Sequence, residues 1–246
     1  MHTNFAESSA FGKLKRSLDG IEWHSLVDHL ADVAAVFESL CRCGSIRRAL
    51  EAGAERVLTD RDIRRLTVLV FLHDFGKANS GFQAKRWLDR ERPRGRLTAG
   101  HGAEAIALLD AARYEEEAEA LLLRLPILEI SAWGRSETLD GLLRASTSHH
   151  GRPLAYAPDW FNARIHWIAY DGYDPAAQLN CIAVAVKRFL PDAFFDGGLP
   201  LPDAPRFTHY FAGLVQLADW LGSDTRFFPF SELGEERLVT SRERAR

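Results

Sequence analysis

Apolar positions along this chain recur mostly every three or four residues, the spacing that lines one face of a helix. Leu26, Leu30, Val33 and Phe37 form one such stripe, with Ser25 placed to cap its start. Ile63, Leu66, Val70 and His73 share a face of a second helix, with Thr59 and Asp62 as capping residues and Gly76 as its expected end. An Ala- and Leu-rich helix follows His101 as far as Ala112, and another covers about residues 114–125. Ser136 opens a helix carrying Leu139, Leu142 and Leu143 that closes at His149-His150-Gly151, where Pro153 prevents continuation. Asp174-Pro175 joins a cap to a first-turn proline and starts a helix reaching Leu190, stopped by Pro191. The last clear stripe covers residues 207–221. Residues 80–100, rich in arginine, and 151–173, rich in aromatics, show no period and are expected to be irregular. The pattern predicts an all-α domain, a bundle of roughly eight to ten helices.

Composition narrows the setting. With 246 residues the chain can form one large domain or at most two small ones. Its longest apolar runs, at 68–72 and 181–186, are far too short to span a bilayer, and the N-terminus lacks the charged-then-apolar pattern of a secretory leader. Three cysteines cannot all pair, and Cys41 and Cys43 are too close for an easy bridge. The expectation is a cytoplasmic protein with no membrane contact. A net charge of −3 argues against coating nucleic acid through global charge, but leaves room for a local basic path. Residues 85–96 supply one: Lys85, Arg86, Arg90, Arg92, Arg94 and Arg96 against only Asp89 and Glu91. It is either a solvated loop or a track for the phosphates of single-stranded DNA, with Lys85, Arg86, Arg92, Arg94 and Arg96 as the DNA-binding candidates. No G-x-x-x-x-G-K-[ST] loop is present, so an ATP-driven helicase is not encoded here.

Candidate chemistry concentrates at His73-Asp74-Phe75-Gly76-Lys77, where a strongly apolar helix stops. A helix C-terminus carries partial negative charge and favours cations. An adjacent imidazole and carboxylate can ligate metal there, and a carboxylate has two oxygens with which to bridge two ions. His29 lies on the core side of its helix, and Asp219 emerges beside Val215 among core positions, where a carboxylate is expected to be paired or metal-bound. His101 and the pair His149-His150, again at a helix end, add further imidazoles. The residues point to a hydrolytic metal centre.

Five segments occur in a telling order: WHSLVDHLADVA (23–34), HDFGKANSGFQ (73–83), GHGAEA (100–105), SHHGRP (148–153) and LADWLGSD (217–224). From about residue 12 to residue 224 the chain resembles the HD phosphohydrolase superfamily, and more closely the HD nuclease domain of the type I CRISPR nuclease-helicase. The resemblance implies an HD-type helical bundle with a dinuclear metal cleft. His29, His73, Asp74 and Asp219 would hold one divalent ion, and Asp74 would bridge to a second held by His101, His149 and His150. So nitrogen-rich a set suits Mn, Fe, Co or Ni better than Mg. His24 competes with His29 for the first position, but helix face and motif register favour His29. The implied reaction is metal-dependent endonucleolytic cleavage of DNA, single strands preferred, in CRISPR interference. A metal-activated water would attack phosphorus, Asp74 would bridge the ions, and Lys77 would place an ammonium near the scissile phosphate. Residues 1–224 would form the nuclease domain, and the charged segment 225–246 a tail or a linker towards a helicase. Implied partners are single-stranded DNA, that helicase (a separate polypeptide or a C-terminal module) and the RNA-guided CRISPR surveillance complex. The alternative is an HD-type phosphohydrolase acting on nucleotides or cyclic nucleotides, against which the SGFQ segment and the His-His-Gly pair weigh. A non-catalytic module is disfavoured because all seven ligand positions are filled.

Overall fold

A β-hairpin precedes the first helix. In the computed structural model, which describes residues 9–17, 20–148, 159–230 and 237–246, β1 (Phe11–Ser17) pairs antiparallel with β2 (Gly20–Ser25). The ladder is irregular between Phe11 and Lys13. Gly12 falls at that irregularity, against the helix that follows: a Cβ on it would stand 2.7 Å from the Cβ of His29. Only glycine lets the strand lie that close. The hairpin adds to the all-α expectation without displacing it, since the other regular elements among the described residues are helices, apart from an isolated bridge between Tyr170 and Tyr173.

Helix α1 (Leu26–Arg42) is the axis of the bundle, with the Ser25 hydroxyl accepting from the Asp28 amide as its cap. It packs against α3 (Asp60–Phe71), α11 (Pro205–Gly222) and α12 (Arg237–Arg244). Between them lie α2 (Gly44–Ala54), α4 (Ser80–Gln83), α5 (Gly102–Ala111), α6 (Glu116–Leu122), α7 (Ile127–Ser131), α8 (Ser136–Thr147), α9 (Trp160–Ala163) and α10 (Pro175–Phe189). Leu30, Val33 and Phe37 of α1 are fully buried against Leu66 and Val70 of α3 and Phe207, Phe211 and Val215 of α11. Each such side chain contributes about 1.5–3 kcal/mol by leaving water. Together they fix how α1, α3 and α11 are rotated about their axes, and so where polar neighbours point. At the α1–α11 crossing, Gly222 approaches so closely that a Cβ would lie 2.9 Å from the Cα of Val33.

Helix α3 starts at a capping box of Thr59 and Asp62. Its end differs from the expectation. The helix stops at Phe71 with Leu72 as cap, and Gly76 lies beyond it in a 3-10 turn (Phe75–Ala78). The segment 225–246, expected as a tail or linker, contributes α12 to the bundle. Arg237, fully buried, donates to both oxygens of Asp32 on α1 at 2.9 and 2.5 Å, and the Ser241 hydroxyl donates to Asp32 at 2.7 Å. No helix among the described residues is long and apolar enough to cross a membrane.

Candidate metal centre

Three elements bring four ligand-type side chains together. α1 supplies His29, the turn after α3 supplies His73 and Asp74, and the last turn of α11 supplies Asp219. His73, Asp74 and His29 are buried, and the Asp219 side chain keeps 14% exposure, which marks the open side. One ligand atom from each of the four lies within 4.8 Å of the other three. His29 Nε2 stands 2.9 Å from Asp74 Oδ2 and 3.8 Å from Asp219 Oδ1; His73 Nε2 stands 3.3 and 3.6 Å from the same two oxygens. The His73 ring is fixed from behind, because Nδ1–H donates to the Val70 carbonyl at 2.8 Å and leaves Nε2 to face the carboxylates.

The other oxygen of Asp74 looks elsewhere. Its Oδ1 lies 3.1 Å from Nε2 of His101, the residue that caps α5. The carboxylate therefore separates the His29–His73–Asp219 group from His101. His149 and His150 lie outside the described residues, directly after the end of α8 and its cap, Ser148.

The rest of the HDFGKANSGFQ segment braces this turn. Asn79 caps α4 by accepting from the Phe82 amide at 2.7 Å, and its own amide donates to the carbonyls of Gly76 and Gly100. Gln83 donates to the carbonyls of Lys77 and Phe11 and accepts from the Phe11 amide, tying the turn to the hairpin. The Tyr173 hydroxyl donates to the Ala78 carbonyl at 2.6 Å.

Burial, reinforced by the neighbouring Lys77 ammonium, outweighs Asp74 and drops the His29 imidazole to about 3, so that ring is neutral. Burial also acts against charge on His73, but Asp74 and Asp219 override it and raise the ring to about 9. Burial likewise opposes ionisation of Asp219, yet His73 and His29 hold its carboxyl well below the usual range. Lys77 is not directed at open cleft: its Nζ sits 2.5 Å from Asp74 Oδ2 and 3.3 Å from His29 Nε2. The site thus combines two carboxylates, that of Asp219 held ionised, with imidazole nitrogens in a buried space. Neighbouring donors around a six-coordinate ion at about 2.1 Å stand about 3 Å apart. The observed separations of 2.9–3.8 Å are near that spacing, and the nitrogen–oxygen mixture suits a first-row transition ion. The residues fit the implied metal.

The basic segment is less uniform than its sequence. Lys85 is exposed with its ammonium 4.4 Å from the centre of the Phe82 ring, whose edge meets His101. Arg86 is engaged by the Gln83 side chain and the carbonyls of Gln83 and Ser9. Arg92 pairs with Asp89, Arg96 lies 4.2 Å over the Tyr170 ring, and Arg94 is exposed.

Two features escaped the sequence reading. His24 lies on β2, not on α1, and joins Asp32 at 2.9 Å in the buried Arg237 network. Lys13, on β1, is half-buried near the cluster. The Asp19-Gly20 dipeptide, a hairpin-turn signal, pointed to the strands that carry both.

Comparison with known proteins shows the family and the fold. The family model described as Cas3, HD domain, matches residues 11–228. The chain is 30% identical over 221 residues to the CRISPR-associated endonuclease/helicase Cas3 of Thermus thermophilus, covering 86% of this chain but 22% of that protein. The chain thus spans about a fifth of the length of that curated relative. It is similar to the crystal structure of the Thermus thermophilus Cas3 HD domain in the presence of Ni²⁺, at a TM-score of 0.56 and 26% identity over 90% of this chain and 82% of that one. A CRISPR RNA-guided surveillance complex in a pre-nicking state contains a chain of the same fold, with a TM-score of 0.58 at 19% identity over 97% of this chain and 27% of that one.

Proposed function

We propose, because this chain belongs to the Cas3 HD-domain family, that it is a metal-dependent nuclease hydrolysing phosphodiester bonds of DNA, with single strands preferred and CRISPR interference as its setting. The observation that carries this reading is the division of labour at Asp74. One oxygen faces His29 and His73, with Asp219 alongside, and the other faces His101. That is the arrangement a bridging carboxylate needs. His29, His73, Asp74 and Asp219 would hold one divalent ion; Asp74 and His101, joined by His149 and His150, would hold a second.

When bound by these residues, divalent ions would supply Lewis acidity, polarising a phosphodiester and lowering the pKa of a bound water. The chain's own groups do the positioning. Val70 orients His73 through Nδ1, so that Nε2 is the ligand atom. Lys77 steadies Asp74 and offsets its charge. Phe82 closes one wall beside His101. Lys85, exposed with its ammonium against the Phe82 ring, and the exposed Arg94 would attract the DNA backbone. A helicase module and the RNA-guided surveillance complex are the proposed partners, in line with the Thermus relative and the pre-nicking complex.

The test is nicking of circular single-stranded DNA by the purified protein with Mn²⁺, run beside release of small products from nucleotides and cyclic nucleotides. Nicking that disappears in Asp74→Ala, with the fold intact by circular dichroism, is the expected result. Retained nicking in Asp74→Ala refutes the bridging role, and turnover of nucleotides alone moves the protein to the phosphohydrolase reading.

A further inference from the structure

Lys77 is held by Asp74 and His29, which leaves open which cation of the cleft meets a bound phosphate. A second lysine borders the same cluster from the hairpin. Gly12 brings β1 into contact with His29, and Lys13 is the next residue, opposite His24 in the ladder. The charge of Lys13 is felt by Asp219 and Asp74, both of the cluster, by Lys77 beside them, and by Asp32 behind. Asp224, two residues past the end of α11, feels it too. From the hairpin the Lys13 charge thus couples to Asp74 and Lys77 of the turn after α3 and to Asp219 and Asp224 at the end of α11.

Lys13 is half-buried, and among the described residues its ammonium makes no ion pair and no hydrogen bond. That is a costly place for a lysine. Burial, helped by the nearby Lys77 charge, pulls its amine down to about 8 in spite of the carboxylates around it. A desolvated ammonium without a direct partner is a demand for an anion. Lys77 has met that demand within the protein; Lys13 has not.

We infer that Lys13 is the phosphate-binding cation of this cleft, its ammonium contacting a non-bridging oxygen of the phosphodiester engaged at the metal cluster while Lys77 stays on Asp74. The inference deepens the proposed nuclease function and rests on it for the identity of the substrate. A purely internal role, with Lys13 only offsetting carboxylate charge, makes different predictions, since removal of the lysine would then alter metal affinity and leave phosphate affinity alone.

The test compares wild type with Lys13→Ala and Lys13→Arg. Mn²⁺ binding is measured by calorimetry, inorganic phosphate binding is measured on the Mn²⁺-loaded protein, and cleavage of circular single-stranded DNA is followed across a salt series. Lys13→Ala is expected to bind Mn²⁺ as wild type does and to lose phosphate affinity by about tenfold or more, the scale of one charged hydrogen bond. Its kcat/KM on DNA should fall mainly through KM, with a salt slope shallower by about 0.7, the value for one neutralised phosphate on a single strand. Lys13→Arg should restore most of both. Unchanged phosphate affinity in Lys13→Ala, or a loss that only follows weakened Mn²⁺ binding, overturns the assignment. Should the wild type cut no DNA, the nuclease reading falls, while the phosphate titration still judges Lys13 separately.

Discussion

Gly76 lies so close to His101 that a Cβ on it would stand 2.1 Å from the His101 carbonyl oxygen. The same Cβ would meet the Ala105 side chain at 2.8 Å, so neither the start of α5 nor its first turn leaves room for one. This backbone approach is what lets His101 reach Asp74 Oδ1 from a separate helix. Gly76→Ala should push α5 outward, destabilise the fold by about 1–3 kcal/mol, and weaken binding of the ion on the His101 side more than the other. Calorimetric titration with Mn²⁺ checks this, because the variant should lose the His101-side binding event first. Unchanged binding at both would mean that the approach does not position His101.

The Arg237–Asp32 pair is buried to within 1% on both sides, so removing one partner strands a charge in the core. Arg237→Ala should cost about 3–5 kcal/mol. Urea denaturation measures it, and a loss under about 1 kcal/mol would show that α12 is not docked on α1 in solution.

With metal stripped by chelator, burial of His73 is outweighed by the facing Asp74 and Asp219 carboxylates, and its pKa is raised from 6.5 to about 9. A raised histidine stabilises the fold fully below its unfolded value and loses that contribution as pH climbs through the folded one. The melting temperature of the chelated protein should therefore fall between pH 6.5 and about 9. Mn²⁺-loaded protein should lack this fall, since the ion takes the place of the proton. Parallel melting curves with and without Mn²⁺ across that window would contradict the ligand role of His73.

Charge reversal at Arg92, Arg94 and Arg96 should weaken single-stranded DNA binding and reduce its salt slope by about 0.7 for each phosphate no longer neutralised. The three are not equivalent. Arg94→Glu should act through binding alone, because Arg94 is exposed. Arg96→Glu should also cost about 0.5–1 kcal/mol of stability through its place over Tyr170. Anisotropy titrations at several salt concentrations decide; identical slopes in all variants would make the segment a solvated loop.

Periodicity located α1, α3, α5, α8, α10 and α11 because each buries a continuous apolar stripe against the same core. Helix α2 was invisible to it, since only Leu50, Gly53 and Ala54 of that helix are buried. The hairpin was missed for a different reason: its register is broken at Gly12, so no clean alternation reaches the sequence. Ligand-type residues were legible because motif order and helix ends select them, and His29, His73, Asp74 and Asp219 do come together. The direction of Lys77 was not legible. One turn past Asp74 it could have faced cleft or carboxylate, and packing beneath Phe82 turns it inward. Nor could the role of Asp32 be read, because its partners Arg237 and Ser241 are about two hundred residues away and no local period links them.

An anomalous-difference map from crystals grown with Mn²⁺ addresses the metal centre itself. One peak enclosed by His29, His73, Asp74 and Asp219, with a second on the His101 side of Asp74, is the predicted result. A map without density between those four side chains, at full manganese concentration and with the imidazoles still facing one another, would contradict it.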